Sequence, residues 1–321
     1  MLSRVADSLY WMSRNCERTE HNAHILSMQL ITILEASEQE ISAGNDWETV
    51  LDICTSKNSY YSFYEALTFE KVVDYLTFSK ENPNSMANTV SFARENARIT
   101  RNSIPNELWE VWNEFYLYLQ NAQKAKNCSL KEIHDFLNNI KKSSFTATGV
   151  IDSSMTRDLP YHFMKIGKWL ERAEKTALIL NVFFQKSKHA NQSAMDDFFW
   201  RSALQFVNGS ETYFKHFPPV INPRSVLQFL VSDLSFPRSI RYCMEHVWEA
   251  VKGLESGKVS HYSWQMYALL DTMMTEFNEE YISNLADEEV EDFLIQSLNR
   301  CIEFGKVFSK TYYLVEREHS V

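Results

Sequence analysis

LYWMSRNCERTEHNAHIL (9–26) and FMKIGKWLERAEKTALIL (163–180) are the two stretches that decide the fold. They stand 154 positions apart throughout: Glu17, Arg18 and Glu20 recur as Glu171, Arg172 and Glu174. Ala23, Ile25 and Leu26 recur as Ala177, Ile179 and Leu180, and Arg14 becomes Lys168 with its charge kept. The apolar register recurs too. Leu2, Val5, Leu9, Met12, Cys16, Thr19, Ala23, Leu26 and Leu30 advance by steps of three and four, as do Phe163, Ile166, Leu170, Ala173, Ala177, Leu180 and Phe184. That is the heptad spacing of a helix that buries one seam. Two equivalent helices are expected, each opening one half of the chain, 1–155 and 156–321, in one compact domain with an internal pseudo-twofold repeat. SSFTATGVIDSSMT (143–156) is rich in small polar residues and reads as the connection. Asp158 then caps the second helix and Pro160 falls in its first turn.

Outward from the repeat, composition points the same way. The chain has 321 residues with only 7 Gly and 7 Pro, too few for the many turns of a β or βαβ protein. The expectation is an all-α multi-helix bundle without a sheet. Helices are placed at 46–79, 86–101, 106–126, 130–142, 196–216, 224–233, 237–252, 258–284 and 287–314, with Asn82-Pro83-Asn84-Ser85 stopping one and capping the next. A hydrophobic share of 45% supplies a large core and rules out wholesale disorder. The net charge of −10 argues against a nucleic-acid partner. Five cysteines at 16, 54, 128, 243 and 301 form no Cys-x-x-Cys pair, which suits reduced thiols. No uncharged apolar run approaches the ~20 residues of a membrane span. The first twenty residues carry charges where a signal peptide is apolar, so a cytoplasmic location is expected.

Charged residues flank the seam. At about 100° per residue, Glu20 lies roughly 60° from the seam centre and Glu17 about 120°. Glu174 and Glu171 repeat that placement. A partly buried carboxylate there needs a cation or several donors. Arg94, Arg98 and Arg101 form a stripe beside an apolar face of Met86, Val90, Ala93, Ala97 and Ile104. Arginine suits two-pronged recognition of carboxylate or phosphate. Two readings stand side by side: salt bridges between these arginines and the repeat glutamates, or a polar pocket at the pseudo-symmetric junction that takes an anion. In Phe236-Pro237-Arg238-Ser239, Pro237 is expected to open a helix. Arg238 and Arg241 would fall in its first turn, where an anion or Asp233 would offset repulsion from the dipole. Arg157-Asp158 reads as a cap first and a ligand contact second.

Di-iron bundles use Glu-x-x-His on paired helices. Glu17, Glu20, His21 and His24 approach that pattern, but the second copy has Lys175 and Leu178 where the histidines stood. An ion-pair network fits better, and no metal site is expected. There is no Gly-x-Ser-x-Gly, no Gly-rich phosphate loop and no Walker sequence. Acid–base work by paired carboxylates stays open.

The stretches MLSRVADSLYWMSRNCERTEHNAHIL at the start, NPNSMANTVSFARENARITR (82–101), RDLPYHFMKIGKWLERAEKTALIL (157–180) and FPRSIRY (236–242) together resemble the bacterial alpha-E family. That family is all-helical and of unknown function. The resemblance implies company: alpha-E proteins are encoded with, or fused to, a circularly permuted ATP-grasp protein, often beside a transglutaminase-like protein. ATP-grasp enzymes join a carboxylate to an amine through an acyl phosphate. The implied role is a partner or substrate-presenting component of a peptide or amide synthesis or modification system. No cofactor is expected in this chain, with ATP and metal entering only through a partner. On positions matching the family's stretches, the candidates are Arg14, Glu17, Arg18, Glu20, Arg94, Glu95, Asn96, Arg98, Arg157, Asp158, Glu171, Arg172, Glu174, Arg238 and Ser239, with Arg101 added from the stripe. Lys168, where arginine is usual in the family, keeps charge but loses the planar fork. An enzyme using the repeat glutamates as acid and base, and a scaffold with a purely structural ion-pair network, are the alternatives.

Overall fold

The computed structural model describes residues 1–35, 46–54, 57–123, 129–189, 193–257 and 259–314. Among these every regular element is helical and no strand forms, as the scarcity of turn residues requires. The chain divides into two compact units, Met1–Gly167 and a second that begins at Lys168.

The first unit holds α1 (Ser3–Glu35), α2 (Trp47–Cys54), α3 (Lys57–Tyr61), α4 (Phe69–Thr77), α5 (Met86–Ile99), α6 (Asn106–Ala122) and α7 (Leu130–Ser154). It also holds the start of α8 (Leu159–Lys188). α1 packs against α5 and α7, and α6 packs against the same two, so four helices close a ring. Within it α1 is buried on every side. Leu9, Tyr10, Trp11 and Met12 are consecutive and each is at most 6% exposed. Four successive helical positions span the whole circumference. A one-sided seam therefore describes α1 too narrowly, and Glu17, expected well off the seam, is only 4% exposed. Gly167 adds to the enclosure. A Cβ built there would lie 2.3 Å from the Tyr10 carbonyl oxygen. Only a residue without a side chain lets the two backbones approach so closely.

The stretch 143–156 is not a connection through most of its length, because α7 continues to Ser154. The small residues read as a linker are a packing face. Ser144, Ala147 and Ile151 are buried in register with Leu137 and Ile140, and Cys16 on α1 donates its thiol to the Ser144 carbonyl at 3.7 Å. Small side chains let two helices sit close. The two compact units meet inside α8, between Gly167 and Lys168.

The second unit holds the rest of α8, then α9 (Ser193–Phe206), α10 (Ser210–His216), α11 (Pro223–Ser232), α12 (Ile240–Leu254), α13 (Trp264–Glu276), α14 (Glu279–Asn284) and α15 (Val290–Thr311). α11 packs on α9, α12 and α14, while α13 packs on α12, α14 and α15.

Three expected helices are broken. Segment 46–79 forms three short ones, its aromatics stacking across the breaks, as Tyr60 does on Tyr64 (4.9 Å) and edge-on to Tyr75 (5.2 Å). Segment 196–216 breaks at Asn208, whose φ of 56° ends one helix before Gly209 begins the next. Segment 258–284 starts later, at Trp264, and restarts after Asn278, whose side chain accepts from the Tyr281 amide.

Candidate functional site

The strongest concentration of buried polar groups runs along α1. Arg14 is fully buried, and its guanidinium donates to the Tyr10 hydroxyl at 2.8 Å and lies over the Trp11 ring at 5.3 Å. Glu17, Glu20 and His21 are all within 4% of complete burial. One donor atom from each lies within 4.8 Å of the other two. The spacing i, i+3, i+4 makes this possible, since those positions share one face. Lys141 on α7 approaches the same face. Burial pulls its ammonium below the ordinary lysine value, and the Glu20 carboxylate pushes the other way.

Arg18 leaves that face and holds a loop. Its guanidinium donates to Asn84 Oδ1 at 2.8 Å, and one turn on, Asn22 Nδ2 donates to the Asn84 carbonyl at 3.3 Å. The loop Asn82-Pro83-Asn84-Ser85 turns through a Ser85 amide to Asn82 carbonyl bond, and Ser85 caps α5 by accepting from the Asn88 amide. The second unit, taken by itself, does the same with other residues. Arg172 donates to the Pro237 carbonyl at 3.2 Å, and Thr176 donates to the Arg238 carbonyl at 2.8 Å. The Ser239 amide bonds the Phe236 carbonyl, and Ser239 caps α12 by accepting from the Tyr242 amide at 3.1 Å. Asn22 to Asn84 and Thr176 to Arg238 both span 62 positions. Pro83-Asn84-Ser85 and Pro237-Arg238-Ser239 also stand 154 positions apart, a match the sequence reading did not register because only the prolines and serines are shared.

Several candidates make local contacts within the first unit. Arg94 donates to Asn113 Oδ1 (3.0 Å) and Glu95 Oε1 (2.9 Å) and lies over the Tyr116 ring (4.7 Å). Arg98 donates to Glu95 Oε2 at 2.8 Å and is exposed, and Arg101 lies over Trp109 at 5.1 Å. The stripe thus faces α6 and solvent instead of the repeat glutamates, because Ala93, Ala97 and Val90 occupy the buried side of α5. Asn96 is buried on that side. Arg157 donates to the carbonyls of Asp152 (2.6 Å) and Met155 (2.7 Å), closing the C-terminus of α7 with a cation where the dipole favours one. Asp158 accepts from Thr156 Oγ1 at 3.1 Å.

Arg238 precedes the helix instead of entering its first turn, because Ser239 and not Pro237 sets the start of α12. Arg241 is spent on Glu245 (3.0 Å) and the Met274 carbonyl (2.7 Å). Asp233 accepts from the amides of Ser235 and Phe236, both at 2.7 Å, so the nearby carboxylate serves the turn itself. Glu171 is 1% exposed, Glu174 less deeply set, and Lys168 and Arg172 flank the Trp169 ring at 4.6 and 4.9 Å.

The second unit also has a cleft of about 610 Å³ lined by Glu276, Glu280, Glu289, Asp292, Tyr281 and Phe293 among others. No candidate residue lines it. It lies in a part of the chain where neither repeat nor motif drew attention.

An uncharacterised protein of Mycobacterium bovis and one of Mycobacterium tuberculosis (strain CDC 1551 / Oshkosh) are each 22% identical over 300 residues, 88% of this chain and 33% of the relative. A second Mycobacterium tuberculosis protein, from strain H37Rv and also uncharacterised, is 21% identical over the same share. The chain therefore spans about a third of the length of the curated relatives it matches. No solved structure matches it. A family model described as a predicted alpha-helical domain with a conserved ER motif covers residues 1–313, and Glu-Arg stands at 17–18 and again at 171–172, each arginine clasping a Pro-x-Ser loop; the chain belongs to the Alpha-E family.

Proposed function

We propose that this chain is a partner or substrate-presenting component of an ATP-grasp-linked system for peptide or amide synthesis or modification, without catalysis of its own. The observation that carries this reading is the length of the relatives, in which a domain of this kind makes up a third of a much longer chain. A domain joined to so much further sequence suits a component that works beside another activity. The contacts of Arg18 and Arg172 support it, since both arginines contribute to holding a helix start. The sequence has no Gly-rich nucleotide loop, so ATP would be bound by the partner. The test is sedimentation of the chain mixed with a circularly permuted ATP-grasp protein of the same organism. A one-to-one complex at micromolar concentration is expected; two independently sedimenting species would remove the reading.

One observation favours a second reading, an enzyme on a small peptide-like or phosphorylated substrate. The buried Glu20 carboxylate acts electrostatically on the half-buried Lys141, whose ammonium burial makes more acidic, and a carboxylate near an amine of lowered basicity is a combination that acid–base chemistry uses. Glu20→Gln would then abolish turnover while the melting temperature barely moved.

A further inference from the structure

Between 276 and 292 stand eight acidic residues and no lysine or arginine. Four of them, Glu276, Glu280, Glu289 and Asp292, line the cleft of about 610 Å³ in the second unit, which the end of α13, α14 and the start of α15 enclose. The chain answers only part of this charge. Arg300 pairs with Glu276, Arg224 with Asp287 and Lys188 with Glu291, while Glu279 accepts from the neutral Gln228 amide at 2.6 Å. Eight carboxylates thus meet three cations.

Helix dipoles favour acids in the first turns of α14 and α15, which hold Glu279 and Glu280, and Glu291 and Asp292. The two starts are built alike in a further respect. The first carboxylate of each pair is spent on another helix, Glu279 on α11 and Glu291 on α8. The second, Glu280 or Asp292, makes no ion pair or hydrogen bond among the described residues and lines the cleft. Two rings line it as well. Tyr281 is 41% exposed, and its ring centroid lies 6.0 Å from that of the buried Phe293.

Carboxylates and open ring faces both attract ammonium and guanidinium groups. A metal ion is a poor occupant, because no three of the cleft's carboxylates bring oxygens within 4.8 Å of one another. The volume is that of a ligand site, and its charge is spread instead of focused. Spread charge suits several cations carried along one chain. We propose that this cleft binds a basic peptide segment, whose arginine or lysine side chains pair with Glu280 and Asp292 and of which one lies over Tyr281.

The experiment titrates the full chain with a labelled, acetylated hexapeptide of alternating arginine and glycine, at low ionic strength where screening is weak, and reads fluorescence anisotropy. Saturable one-to-one binding is expected, and none of a matching peptide of glutamate and glycine. Glu280→Gln combined with Asp292→Asn should weaken it roughly tenfold, as loss of two exposed ion pairs would. Tyr281→Ala should weaken it about two- to fivefold through the lost cation–π contact. Glu288→Gln, at an exposed acid that does not line the cleft, should leave the affinity within about twofold. All four side chains are exposed, so thermal melts of the variants should match the parent. Absence of one-to-one binding, unchanged affinity in the double variant, or an equal loss in Glu288→Gln would overturn the proposal. So would tighter binding of spermidine than of the peptide, which would make the cleft a polyamine site, or displacement of the peptide by micromolar Mn²⁺. None of these readouts involves an ATP-grasp protein, so their failure is separate from that of the function proposed above.

Discussion

Arg18 reaches across 66 positions to donate to the side-chain oxygen of Asn84 at 2.8 Å, pinning the turn that starts α5 to the middle of α1. The bond joins the family's Glu-Arg dipeptide to a helix cap far along the chain. Arg172 makes the corresponding bond in the second unit, but to a backbone carbonyl.

A double-mutant cycle on Arg18→Ala and Asn84→Ala should therefore return a coupling of about 1.5–3 kcal/mol, the range for a hydrogen bond to a charged group. Urea denaturation of the four proteins measures it. Additive effects within about 0.5 kcal/mol would show that the pair is not energetically linked.

The two arginines Arg14 and Arg98 should differ widely. Arg14 is fully buried among Tyr10 and Trp11, and its removal should cost about 3–5 kcal/mol, as for a broken buried charge network. Arg98 is exposed beside Glu95, and Arg98→Ala should cost at most about 1 kcal/mol. Equal losses would mean the stripe on α5 carries more than surface pairing.

Two glycines give opposite signs. Gly167→Ala forces a methyl against the Tyr10 carbonyl and should destabilise by about 1–3 kcal/mol or more. Gly149 is exposed on α7 with nothing within 4 Å of a built Cβ, so Gly149→Ala should stabilise by roughly 0.5–1 kcal/mol. Thermal melts of both variants test the close approach of α8 to α1 directly.

His162 should make stability depend on pH. Burial holds its imidazole below the ordinary histidine value of about 6.5. The unfolded chain then takes up the proton first, so stability is full above about 6.5 and falls as pH drops toward the folded value. His162→Gln should flatten that part of the profile. A slope unchanged in the variant would assign it to another group.

The helical class was legible because Gly and Pro are rare and the repeat has helical spacing. The buried side of α5 was also legible, since Ala93 and Ala97 mark it. Full enclosure of α1 was not, because a helix packed on all sides keeps its polar residues and shows only its strongest apolar stripe. Ser144 and Ala147 misled for a related reason: small residues mark close helix contacts as well as links. Lys141 could not be linked to Glu20 from sequence, since no local spacing connects residues on separate helices. The Pro-x-Ser match was in plain view, but two shared residues in a short loop give little signal until the hydrogen bonds coincide.

The most direct measurement is ATP-dependent amide formation by a circularly permuted ATP-grasp protein of the proposed kind, assayed alone, with this chain added, and with the chain by itself. A presenting partner predicts that the rate rises and saturates at one chain per ligase, while the chain alone turns over nothing. Turnover by the isolated chain, lost in Glu20→Gln without loss of stability, would contradict the account and place the chemistry in α1.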